Sequence, residues 1–213
     1  MKKNIVLLLM FAFVFACKED QKQKDIETQD ETESTTDRDI NPTEARQTET
    51  RSTPESSPND VDFEQEVQNF ITCKKAATER NDCRNSITKV ITKMHELTEF
   101  NDSKLGYVVY DSIRPIAERS KHWLQLGTIN QESIQQALEH SERGGLSLII
   151  DTSETYGHVV MIIAGETTKS GSWGIELPNV LSLTNYKPEK SFYNKSLAYA
   201  MQKSDALKIF LRQ

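Results

Sequence analysis

Residues 130–164 read NQESIQQALEHSERGGLSLIIDTSETYGHVVMIIA, and the change of period inside this stretch decides the fold class. Ile134, Ala137 and Leu138 recur at the spacing of one helix face, so a helix is predicted from Asn130 onward. Gly144-Gly145 stops it, because glycine readily takes the left-handed backbone that ends a helix. The period then changes. Residues 146–150 and 159–164 are short apolar runs joined by the polar turn 151–157, the pattern of two strands.

Upstream, Phe63, Val67, Phe70 and Ile71 predict an amphipathic helix over 61–78, broken by 78–82. Ile87, Val90, Ile91, Met94 and Leu97 predict a second helix, with Asn81 or Asp82 able to cap its first free amides. That places Cys83 at or near a helix N-terminus. Residues 103–127 are ambiguous: 105–110 suit a short strand or a helical turn, and Pro115 restricts the conformation of its neighbours. Downstream, 165–171 reads as a loop. Residues 173–183 read as a strand that Pro178 confines to an edge or a bulge, and 207–211 as a last strand. Helices come first and strands later. The expected class is therefore α+β, with N-terminal helices packed on a mostly antiparallel sheet.

The rest of the chain is unlike this part. Residues 1–16, MKKNIVLLLMFAFVFA, place two lysines before an apolar run of signal-peptide length, too short for a comfortable membrane span of roughly 20 residues. The run ends at Ala16-Cys17 and turns charged at Lys18-Glu19-Asp20. The junction resembles a bacterial lipoprotein signal, which implies acylation of Cys17, although Phe15 is bulkier than usual there. Lys-Glu-Asp after the cysteine resembles the surface-export signal of Bacteroidota lipoproteins. The implied location is the outer membrane, at its periplasmic face or the cell surface. An ordinary secretory signal with a chance cysteine is the plainer alternative.

Residues 17–60 would then be the lipidated cysteine and a tether. From 18 to 60 the chain has thirteen acidic and six basic side chains and no aromatic residue. Such a segment cannot bury enough apolar surface to offset its ordering entropy, so disorder is expected. What remains, 61–213, is near neutral with nineteen acidic and eighteen basic residues, and it holds every Trp and Tyr. This is the expected folded domain. Its balance, within a chain of net charge −6, argues against a nucleic-acid binder, which needs a basic stripe. No HExxH, CxxC or paired-His spacing suggests a metal, and no Walker or GxGxxG loop suggests a nucleotide.

The chemistry-bearing residues are Cys83 and His158. A nucleophilic cysteine needs a lowered pKa and a base within reach, and a helix N-terminus favours the thiolate. His158 opens the strand after the 151–157 turn. A hairpin turning near 168 or 169 would set Asn179 opposite His158 as its orienting partner, with Glu176 and Ser182 as alternatives. Plainer readings stand beside this one. Cys83 suits a small core residue, His158 suits a structural histidine, and Cys73 could bond Cys83 in an oxidising compartment.

The order Asp-Cys at a helix start, then a strand, then Gly-His leading a second strand resembles the NlpC-type papain-like cysteine peptidases. ALEHSERGGLSLIIDTSETYGHVVMIIAGE (137–166) and SGSWGIELPN (170–179) are similar to a branch of bacterial cell-wall amidases that includes type VI secretion amidase effectors. The resemblance covers most of 75–213. It implies a papain-like fold in which Cys83 attacks an amide carbonyl in the peptide stem of peptidoglycan. His158 would serve as base and then acid, and a polar residue such as Asn179 would hold the ring. No cofactor or metal is implied. The other expected partner is the membrane, through the N-terminal lipid, and the domain is expected to be a monomer. The chain departs from the family in carrying Arg84-Asn85-Ser86 after the cysteine, where many members have Ser-Gly. The alternatives are the same fold acting on another amide, or an inactive binding lipoprotein. A Cys73–Cys83 disulfide would favour the binding protein, and a free, acidic Cys83 thiol would favour an enzyme.

Overall fold

A computed structural model describes residues 61–79 and 83–213, all of them within one unit, Ser52–Gln213. The expected signal peptide, Cys17 and the tether lie outside the described residues, as do Asn81 and Asp82. The class is α+β. Helices α1 (Phe63–Ala76), α2 (Ser86–His95) and α3 (Ile113–Arg119) precede most of the strands, with α4 (Gln131–Glu142) among them. The strands are β1 (Asn101–Asp102), β2 (Gly106–Tyr107), β3 (Trp123–Thr128), β4 (Leu146–Asp151), β5 (Val159–Ser170), β6 (Ile175–Ser182), β7 (Phe192–Ser196) and β8 (Leu207–Arg212). The first two form a small ribbon. The others form one sheet in the order β3-β8-β4-β5-β6-β7, and every pairing is antiparallel.

The helix ends arise from local side chains. Asp62 caps α1 by accepting the Gln65 amide at 2.9 Å, and Glu64 and Glu66 sit in the first turn where the helix dipole favours acids. Asn130 caps α4 through a reciprocal box with Ser133. Asn85 occupies the N-cap position of α2 without a side-chain cap bond, three to four residues later than the expected cap.

The sheet has helices on both faces, which explains why β4 is apolar on both of its sides. Leu146, Leu148 and Ile150 pack with α1, α2 and α3 in one buried cluster, together with Val159, Met161, Leu181 and Phe210. Ile149 points the other way, into a second cluster with Ile134, Ala137 and Leu138 of α4, Val160, Val180 and Ile209. Side chains alternate across a strand, so a strand covered on both faces must be apolar throughout. Ser147 is the polar exception. It is fully buried, and its hydroxyl donates to the Ala137 carbonyl at 2.8 Å.

One expectation about the β5–β6 hairpin needs correction. Residues 165–170 are strand, not loop: β5 runs on past a register shift between Ile162 and Thr167 and turns only at 171–174. β6 is an interior strand. The edge expected from Pro178 is absent but the bulge is present: Pro178 pairs with Thr167, where the register shift after Ile162 ends, and β7 pairs with β6 only from Asn179 onward.

Candidate functional site

Cys83 begins the turn that leads into α2. Its carbonyl accepts the Ser86 amide at 3.2 Å and the Ser86 hydroxyl at 2.9 Å. Its φ is 65°, a left-handed backbone that is costly for a side chain other than glycine and tends to occur where structure is held for function. The turn is fastened to the β1–β2 ribbon and the segment after it: the Tyr110 amide donates to the Arg84 carbonyl at 3.0 Å, and Asn85 Nδ2 donates to the Leu105 carbonyl, between the two strands, at 3.1 Å.

Arg84 joins this turn to the one before β5. Its guanidinium pairs with Asp111, lies 5.1 Å from the centroid of the Tyr110 ring and 5.9 Å from that of Tyr156. Tyr156 stands two residues before His158. The turn that holds the cysteine and the turn before the histidine are therefore linked through the Arg84 side chain. Burial and the neighbouring Asp111 carboxylate push the Tyr110 hydroxyl up, so it keeps its proton at neutral pH. Tyr156 is 61% exposed.

His158 is set by a tight hairpin. The Asp151 amide donates to the His158 carbonyl at 2.9 Å, and Ser153 donates to the Asp151 carboxylate through both its amide and its hydroxyl. At Gly157 an added Cβ would lie 1.7 Å from the Asp151 carbonyl oxygen, so only glycine fits. The imidazole Nε2 is 2.9 Å from the hydroxyl of Ser182, a fully buried side chain on β6. Burial pushes His158 down to about 4, with Asp151 pulling weakly the other way. The ring is thus neutral at pH 7.

Asn179 is not the partner of His158. Its Nδ2 donates to Asn194 Oδ1 at 3.1 Å, and its backbone pairs with Ser196 on β7. The expected register placed the hairpin turn near 168 or 169. The strand runs on to Ser170, so Val160 pairs with Ser182 and the residue beside the ring is Ser182. Glu176 is engaged elsewhere, accepting the Thr167 hydroxyl at 2.9 Å.

Cys83 is also not a free thiol here. It is bonded to Cys73 of α1, with the two Cα atoms 6.1 Å apart. Cys83 is half-buried against the first core cluster, whereas Cys73 is exposed. Among the described residues no group of three or more His, Cys, Asp or Glu side chains is arranged to hold a metal ion, and no helix is long and apolar enough to cross a membrane.

The Arg84–Asp111–Tyr110–Tyr156 cluster had no sequence signature of its own. The one available signal was that Arg84 follows Cys83 and Tyr156 nearly precedes His158. Comparison of the chain with protein-family models and with curated proteins gave no match.

Proposed function

We propose that this chain is a lipid-anchored cysteine hydrolase that cleaves an amide bond in the peptide stem of peptidoglycan, with the papain-like fold of the NlpC-type enzymes it resembles. The observation that carries the reading is the meeting of the Cys83–Arg84 turn with the Tyr156–His158 turn through the Arg84 guanidinium. In the reduced protein, Cys83 Sγ attacks the carbonyl carbon while His158 takes the thiol proton. The oxyanion forms near the free amides at the start of α2. The tetrahedral intermediate collapses to a thioester, and His158 gives its proton to the departing amine. Water, deprotonated by the same ring, then releases the acid and restores the thiol. Ser182 keeps the imidazole in place and acts only through it. Acylation at Cys17 holds the domain on the outer membrane near its polymer, and the acidic tether supplies reach.

The test uses the full chain, reduced with a dithiol and given purified peptidoglycan, with release of new amine groups as the readout. Turnover is expected from the wild type and from Cys73→Ala, and none from Cys83→Ala. These variants lose the same disulfide, so a difference between them belongs to the nucleophile. Full activity in Cys83→Ala would overturn the mechanism. The Cys73–Cys83 bond favours a second reading, a binding lipoprotein on the same fold. That reading predicts peptidoglycan retention by every variant and turnover by none.

A further inference from the structure

The disulfide joins the proposed nucleophile to a residue with no other evident task, and its two ends differ in access. Cys73 is exposed on α1, to one side of the face that buries Val67 and Phe70. Cys83 is half-buried and packed against the core. An external thiolate can therefore approach Cys73 Sγ more readily than Cys83 Sγ. In thiol–disulfide exchange the attacked sulfur keeps the newcomer and the other sulfur leaves as a thiolate. Attack at Cys73 releases Cys83 as a thiolate just ahead of the first turn of α2, whose amides and dipole favour that charge.

We infer that Cys73 is an exchange site for a dithiol reductant, and that the Cys73–Cys83 bond is a latch holding the hydrolase silent until such a reductant opens it. The inference rests on the hydrolase reading. The step balances: the first thiolate of the dithiol bonds to Cys73 Sγ, the Cys73–Cys83 bond breaks, and Cys83 carries away the electron pair. The second thiol of the reductant then attacks the mixed disulfide. The reductant leaves oxidised as a cyclic or internal disulfide, and Cys73 and Cys83 remain as two thiols. Two electrons pass from the dithiol to the protein. The chain could thus be exported and oxidised without activity and switched on where a dithiol reaches its exposed α1 face.

The experiment uses the full oxidised chain with and without dithiothreitol, and the Cys73→Ser variant. Iodoacetamide labelling mapped peptide by peptide separates these cysteines from Cys17, and amine release from peptidoglycan reports turnover. Oxidised wild type is expected to show no label at 73 or 83. Dithiothreitol should expose both sites and raise turnover at least about 100-fold, since a bonded nucleophile cannot attack. Cys73→Ser should label at Cys83 and turn over without any reductant. In a separate arm, glutathione should be trapped as a mixed disulfide on Cys73. Glutathione on Cys83, or turnover in the oxidised wild type that dithiothreitol leaves unchanged, would overturn the latch. Thiols that open as expected with no turnover under any condition would overturn the hydrolase reading instead, and with it the latch's purpose, while the exchange at Cys73 would stand. If Cys73→Ser does not fold, the dithiothreitol and glutathione arms on the wild type decide the question.

Discussion

His158 makes a prediction about stability against pH that needs no substrate. In the oxidised protein burial holds its imidazole at about 4, against 6.5 for an imidazole in water. Between those values the unfolded chain binds a proton that the folded chain refuses, so stability rises with pH across the window and is lost as pH falls. Above pH 6.5 both states are neutral and stability is at its full value. Below about 4 both states are protonated and no more is lost. The gap corresponds to about 2 to 3 kcal/mol, the lower figure allowing for the part of the residue that water still reaches. His158→Gln removes the titration while keeping a polar side chain beside Ser182. Urea unfolding of both proteins at pH 4, 5, 6 and 7 gives the difference between them, in which the other titrating groups cancel. The advantage of the wild type over the variant should shrink by about 2 to 3 kcal/mol from pH 7 to pH 4. A difference that stays flat within about 0.5 kcal/mol would show that the ring is not held neutral by burial, and the site geometry drawn from it would be wrong.

Other perturbations test single contacts. Ser182→Ala leaves the His158 nitrogen without its partner and should cost about 1 to 3 kcal/mol, seen as a melting point lowered by about 2 to 4 °C per kcal/mol; an unchanged melting point would contradict the bond. Gly157→Ala drives a methyl into the Asp151 carbonyl and should destabilise by at least about 2 kcal/mol in urea unfolding, since backbone must move on both sides. Ile149→Ala opens a cavity between the sheet and α4 and should cost about 2 to 5 kcal/mol, whereas the exposed Leu124→Ala should cost far less in the same assay. Reducing the disulfide should lower stability by about 3 kcal/mol on the loop-entropy account for ten residues, measured as the shift in urea midpoint with and without a dithiol.

Much of the fold was legible because strong local patterns agree with it. The stripe of α1, the capped α4 ending at Gly144-Gly145, and the apolar runs of β4 and β5 needed no long-range information. The elements that could not be read were set by pairing. β3 has Trp123 buried but Leu124 and Gln125 exposed, so its pattern lacks a clean alternation. β7 reads FYNKS and owes its state to β6 beside it. The site divided along the same line. Cys83 before a helix and His158 before a strand are local readings, and both placements hold. The partner of His158 depended on register, and the continuation of β5 through Ser170 moved it from Asn179 to Ser182. The Arg84 cluster depends on contacts between segments far apart in sequence, which no spacing rule encodes.

The central claim is that Cys83 and His158 act together, and the most direct measurement is the pH dependence of alkylation at Cys83. The full chain is reduced, iodoacetamide labelling at Cys83 alone is followed by peptide mapping from pH 4 to 10, and His158→Ala is measured beside it. The account predicts a thiol that reacts well below the free-cysteine value of about 8.5, with the profile moving back toward that value when His158 is removed. A profile centred near 8.5 in both proteins would contradict it.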